Sequence, residues 1–232
     1  MSSQAVRFHG SAGNPVPSVT QVLGVSAKSY LISWANDLGL KGLKYSTYID
    51  EITLLGSLIH DRIEAYILKQ EFDQSKYSNE IMEKSEPVFN KFIRWETDNY
   101  MAVMETETPM ESDVYGGIMD AVVDLNGKAT LMDWKTSKDI YSDYFSQLAS
   151  YHRLLSIGWV VKGFVPESEY EKTNNKMKML GNEIKQVAIL NVPKESGEAR
   201  LKIMETSSPE FRDHIDYFDA CLNLYHARRK IQ

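Results

Sequence analysis

The chain is poor in cysteine: its 232 residues hold one, Cys221. That excludes a disulfide framework within the chain and any all-cysteine metal or iron–sulfur cluster. It fits a reducing, cytoplasmic setting. Long apolar runs are missing too, none approaching the roughly 20 residues a membrane helix needs. The opening MSSQAVRFHGSAGNPVPS lacks the basic-then-apolar plan of a secretory signal. Nor is there a surplus of positive charge, since 26 Lys and Arg face 32 Asp and Glu for a net charge of −6. Proteins that coat nucleic acid usually carry a basic surplus. Its lack argues against that class, but not against an enzyme that grips nucleic acid locally and keeps carboxylates for a metal.

What is present reads as an ordinary soluble globular protein, 43% hydrophobic and 25% charged. The length suits one good-sized domain, or one with a small helical annex. Residues 1–16 are expected to be a flexible lead-in. Ser18 and Gln21, preceded by Pro17, have the form of a capping box and predict a helix to about Leu23. A second helix is expected from about Lys28 to Leu38, stopped by Gly39 and Gly42. Leu55, Ile59, Ile63 and Ile67 step at i+4 along a third. A fourth spans SNEIMEKSEPVFNKFIRWETDN, with Pro87 as a kink or break. From Met101 the texture turns to short β-leaning runs punctuated by Gly and Asn-Gly. A helix over YSDYFSQLASYHRLLSIG, two more strands and a closing helix complete the reading. The polar stretch PESEYEKTNNKMKMLGNE reads as a mobile loop or extension. Helices followed by a mixed sheet with flanking helices make an α/β core with an N-terminal helical part.

The segment GGIMDAVVDLNGKATLMDWKTSK sets two apolar runs either side of Asn126-Gly127, a two-residue type I′ turn signal. Closing the hairpin between Leu125 and Lys128 places Asp120 directly opposite Asp133. Facing Cβ atoms in such a ladder lie ~5 Å apart, where two carboxylates repel by ~3 kcal/mol at an effective dielectric of ~20. A divalent cation between them turns that repulsion into a site, because hard cations such as Mg²⁺ favour carboxylate oxygens. Lys135 shares the face of Asp133, ~6.6 Å along the strand, while Trp134 points into packing. An ammonium beside two carboxylates suits the orientation of a water and the offsetting of charge in a phosphoryl transition state.

Other residues join this group. Glu105, Glu107 and Glu111 lie just upstream, and any of them could complete an oxygen-rich set or simply belong to an acidic surface loop. His60 sits on the third helix with Glu64 one turn later. Gly56, one turn earlier, leaves room for a close neighbour. Gln147 and Tyr151 stand at i and i+4 on the helix after the hairpin.

GSLIH, YGGIMD, LMDWKTSK and QLASY, in that order, resemble the motifs of PD-(D/E)xK nucleases, and most closely the RecB-like branch of phage exonucleases and the mitochondrial genome maintenance exonuclease. PSVTQVL and SWANDLG extend the resemblance towards the N-terminus. It implies a restriction-endonuclease-like mixed central β-sheet flanked by helices, within one domain over 17–232 made of a helical part (17–100) and a catalytic core (101–232). It also implies that Asp120 and Asp133 bind Mg²⁺ or Mn²⁺ with the Trp134 backbone carbonyl and His60. Lys135 is then the catalytic lysine, and Gln147 and Tyr151 contact substrate. The upstream glutamate matches Glu105 best, with Glu107 as the alternative. Met119 stands where the family often has proline, which leaves the Asp120 ligand in place. The single cysteine makes this the type without an iron–sulfur cluster.

The function so implied is a metal-dependent DNA exonuclease acting on single strands or DNA ends, in phage-type recombination, replication or repair. Read from the residues alone, the basic stretches KTNNKMK and HARRK could either grip phosphates or be solvated charge clusters. An endonuclease or structure-specific repair nuclease with the same site is one alternative, and a non-cleaving nucleic-acid-binding module on a decayed nuclease fold is another.

Overall fold

A computed structural model describes residues 7–26 and 29–231. Six strands form one mixed sheet in the order β4-β1-β2-β3-β5-β6. They are β1 (Met101–Glu111), β2 (Gly116–Leu125), β3 (Lys128–Lys135), β4 (Trp159–Val160), β5 (Gln186–Asn191) and β6 (Arg200–Glu205). Every neighbouring pair is antiparallel except β3 with β5. That parallel pair needs a long crossover, supplied by α5 (Ser142–Ile157), β4 and α6 (Glu167–Glu183).

Side-chain alternation along the strands builds two cores. On one face Val122, Leu131, Val187 and Ile189 pack under α5, α6, α1 (Val19–Leu23) and α7 (Pro209–Lys230), through Phe145, Met177, Val22 and Phe218. On the other, Ala121, Val123, Met132, Trp134 and Leu190 meet Ile59 and Ile63 of α3 (Tyr45–Ile67) and Val88 and Phe92 of α4 (Asn79–Asp98). Phe92 and Trp134 touch edge to face at 6.0 Å, a contact worth ~1 kcal/mol beyond the area both rings bury. Thus α3 and α4, read from sequence as part of an N-terminal helical region, form one of the two layers over the sheet.

The hairpin turn is as expected. Asn126 and Gly127 take φ of 53° and 82°, Leu125 pairs with Lys128, and the ladder runs to Ala121 opposite Met132. The Ser18–Gln21 capping box is also present.

Four expectations need correction. The polar stretch read as a mobile loop is α6: a thin stripe of Met177, Leu180 and Gly181 is buried, and the Asn174 side chain accepts from the Val160 N–H. Helix α4 runs unbroken through Pro87, which lies on its exposed side, where water can serve the carbonyl that loses its partner. Helix α2 (Ser29–Leu40) continues past Gly39, and the reversal falls at Gly42, φ 73°; its expected start at Lys28 lies outside the described residues. The lead-in, described from Arg7, is pinned at Phe8, buried over Gly116 where no side chain would fit, and at His9, whose N–H donates to Glu111.

Candidate active site

The two aspartates meet where the β2–β3 ladder ends. Asp120 lies one position beyond the last pair, and its Oδ2 accepts the Trp134 N–H at 2.9 Å. Asp133, next to Met132, is fully buried. Neither of its oxygens receives an aligned hydrogen bond among the described residues. The Lys135 ammonium stands 2.5 Å from Asp133 Oδ2 as an ion pair, with the Tyr144 ring 5.0 Å beneath it. Burial pushes the Asp133 carboxyl up to about 6, against the pull of Lys135. Burial works against the lysine's charge as well, but Asp133 and Asp120 outweigh it and hold its pKa above the usual value.

Helix α3 brings the next donor. Its Ile59 and Ile63 are committed to the core, which turns the intervening His60 to the cleft, Nδ1 3.6 Å from Asp120 Oδ2. Burial and the Lys135 charge lower the His60 pKa to about 4, so the imidazole is neutral at pH 7 with a lone pair to offer. The Trp134 backbone also touches the ring.

The third carboxylate is Glu107. Strand β1 slips register between Val103 and Glu105, and Glu107 takes a left-handed φ of 43° between the Thr106–Ala121 and Thr108–Met119 pairs. A non-glycine residue pays ~1–2 kcal/mol for that conformation, a strain that clusters at functional sites. The kink delivers the side chain into the cleft across from Asp120. Burial and the charges of Asp120, Glu64, Asp61 and Asp133 push its carboxyl up to about 9. Glu105, the better match by spacing, does not line the cleft. It pairs with Lys176 of α6 and accepts from the Thr108 hydroxyl. Glu111 is structural as well, bound by the His9 N–H and the Trp159 indole.

The cleft has a volume of about 510 Å³ and also takes in Glu64, Asp61, Ile118, Thr136 and Lys194. Gln147 and Tyr151 form their expected pair on α5, with Nε2 donating to the phenol oxygen at 3.0 Å. Tyr151 is buried, and the carboxylates Asp133, Asp120 and Glu107 add to the burial that raises its pKa. Its ring lies so close to Gly117 that no Cβ would fit there.

Asp61, Thr136, Lys194 and Asn191 escaped the sequence reading. Asn191 is the ladder partner of Lys135 and is fully buried, with neither amide atom hydrogen-bonded among the described residues. Its signal was available, an amide closing the apolar run QVAIL just as Asp133 closes TLM. Lys194 and Asp61 carried no pattern that set them apart from surface charges.

Among the described residues no three His, Cys, Asp or Glu side chains form a finished cation cage. The donor chemistry nonetheless fits a hard divalent ion. Two carboxylates, one buried beside Lys135 without aligned donors and one fixed by a backbone N–H, stand with a neutral imidazole and a proton-holding glutamate as a set of hard oxygen and nitrogen donors. Asp120, Asp133, His60 and Glu107 are the residues that would hold it. A scan against protein-family models and a search of curated proteins found no match to this chain.

Proposed function

We propose that this chain is a metal-dependent nuclease of the PD-(D/E)xK type, built on a restriction-endonuclease-like core and cutting DNA from single-stranded or free ends. The observation that carries the reading is Asp133, a carboxylate buried beside Lys135 without aligned donors, which lies with Asp120 one position past the end of the hairpin ladder. The mixed sheet flanked by helices and the Gln147–Tyr151 pair behind the carboxylates support it.

A bound Mg²⁺ or Mn²⁺ supplies Lewis-acid polarisation of the phosphoryl group and a more acidic water. The protein's part is positional. Asp120 and Asp133, carried on β2 and β3, would hold the ion, and neutral His60 on α3 would offer it a nitrogen. Lys135 exchanges its contact with Asp133 for the phosphoryl oxygens, where its ammonium offsets charge gathering in the transition state. Tyr144 beneath it limits where that ammonium can swing. The buried ring of Tyr151 closes the α5 side and keeps bulk water from the carboxylates.

The test is cleavage of labelled linear and circular single-stranded DNA with Mg²⁺, Mn²⁺ or EDTA, beside Asp133→Ala. Metal-dependent loss of the linear strand alone, absent in the variant, establishes the exonuclease. Cutting of both makes it an endonuclease. DNA binding without cutting of either returns the reading to a non-cleaving module.

A further inference from the structure

The cleft lining carries both signs of charge: Asp61, Glu64, Glu107 and Asp120 share it with Thr53, Ser57, Thr136 and Lys194. Lys194 follows β5 after Val192 and Pro193, both buried, which fix where its stem begins. Its ammonium donates to the Ile52 carbonyl of α3 at 2.7 Å. An added Cβ at Gly56 would stand 3.5 Å from Nζ and 3.4 Å from Thr136 Oγ1. Glycine therefore leaves a notch floored by helix backbone and walled by an ammonium and a hydroxyl.

This lysine has no carboxylate within ion-pair distance among the described residues. Burial alone lowers its pKa, to about 8. Buried charges are normally paired, yet none of the cleft carboxylates offsets the burial of this one. A partly buried cation beside a hydroxyl and an open glycine matches a phosphate group, which offers acceptor oxygens and negative charge together. Gly56 lies one turn of α3, ~6 Å, from His60, so an anion in the notch sits beside the group held by the carboxylates.

The geometry points to Lys194, with Thr136, as the anchor for a backbone phosphate next to the scissile one, in the notch left by Gly56. This site rests on the nuclease reading for its substrate, but its test is binding, not cutting. A labelled single-stranded oligodeoxynucleotide is titrated by fluorescence anisotropy in EDTA and in Ca²⁺, against wild type, Lys194→Met and Lys194→Arg. A parallel series of the same strand carries one neutral methylphosphonate linkage at a time.

Lys194→Met should weaken binding about tenfold, as loss of a charged hydrogen bond does, and reduce the salt slope by about one. Lys194→Arg should largely restore both. One methylphosphonate position should weaken wild type and leave Lys194→Met unaffected. Equal binding by wild type and Lys194→Met, or a methylphosphonate profile identical in both, overturns the anchor. On the unaltered protein, acylation of Lys194 read by peptide mass should be suppressed by a deoxynucleoside 3′,5′-bisphosphate. Absence of protection overturns the anchor even where the strand itself fails to bind. Failure of the nuclease reading shows separately, as intact linear DNA in Mg²⁺ and Mn²⁺ with the Lys194 contact present.

Discussion

The Trp134 N–H donates to the Asp120 carboxylate at 2.9 Å, one step past the last pair of the hairpin ladder. Asp120 thus stands in for the strand carbonyl that would otherwise take that proton. Asp133, across from it, has no such donor. One aspartate is anchored by a backbone N–H, and the other rests on the Lys135 ammonium alone.

Divalent cations should therefore stabilise the protein through Asp133. At a hundred times Kd the gain is about 2.7 kcal/mol, which for a chain of this size raises Tm by roughly 5–10 °C. Thermal melts in EDTA and in Mn²⁺ check this. A shift of the same size in Asp133→Ala would remove that residue from the ion's ligands.

Lys135→Met should separate stability from chemistry. Without its ammonium, Asp133 is a buried charge with no counterion, at a cost of about 3–5 kcal/mol in the metal-free protein. Mn²⁺ should recover most of that loss, so this variant gains more from the ion than wild type does. Cleavage should stay about 10²–10³-fold down at saturating metal. Full activity would assign the lysine a structural role.

Glu107→Gln and Glu105→Gln should behave differently although they are two residues apart. The first removes a cleft carboxylate and should cut metal-dependent activity at least tenfold. The second removes a largely surface pair with Lys176, worth at most about 1 kcal/mol, and should leave turnover near wild type. Metal titrations of both variants decide between them, and the reverse result would restore Glu105 as the ligand.

In chelator, stability should fall as pH rises. The Glu107 carboxyl titrates at about 9 in the folded state against about 4.5 unfolded. The folded protein therefore holds the proton more tightly; that contribution is complete below about 4.5 and lost by about 9. His60 acts in the opposite sense. Its pKa falls to about 4 from 6.5, so its contribution is lost as pH drops through that window. Melts across pH in EDTA should show Glu107→Gln flattening the alkaline limb alone. An unchanged alkaline limb would mean that Glu107 does not carry it.

Gly117→Ala should push the Tyr151 ring out of its place beside Gln147. Overpacking of this kind costs about 1–3 kcal/mol. The fall in kcat should exceed what the fraction unfolded explains, as urea melts and turnover on the same samples would show. A loss confined to stability would make Tyr151 a core residue only.

The hairpin was legible because Asn-Gly fixes a register that a count of residues then extends to Asp120 and Asp133. The helix with His60 was legible because its apolar residues repeat at i+4. Glu107 was not, since the slip at Val103–Glu105 and its left-handed backbone break the alternation on which any choice between Glu105 and Glu107 must rest. Helix α6 hid behind its polarity, because a stripe as narrow as Met177, Leu180 and Gly181 barely registers as a period. Lys194 belongs to no motif. It is brought to Gly56 only by the parallel pairing of β5 with β3, a contact between distant parts of the chain.

That same pairing sets an order of events for the folding chain. The β2–β3 hairpin closes through local contacts, on a timescale of ~1–10 μs, whereas the Ile189–Asp133 pairing spans the whole crossover through α5 and α6, a non-local contact expected to form more slowly. Early in folding the two aspartates therefore face each other in water, where their repulsion is weak and ions exchange freely. Docking of β5 then seals Asp133 with whatever cation has arrived, or with Lys135 alone.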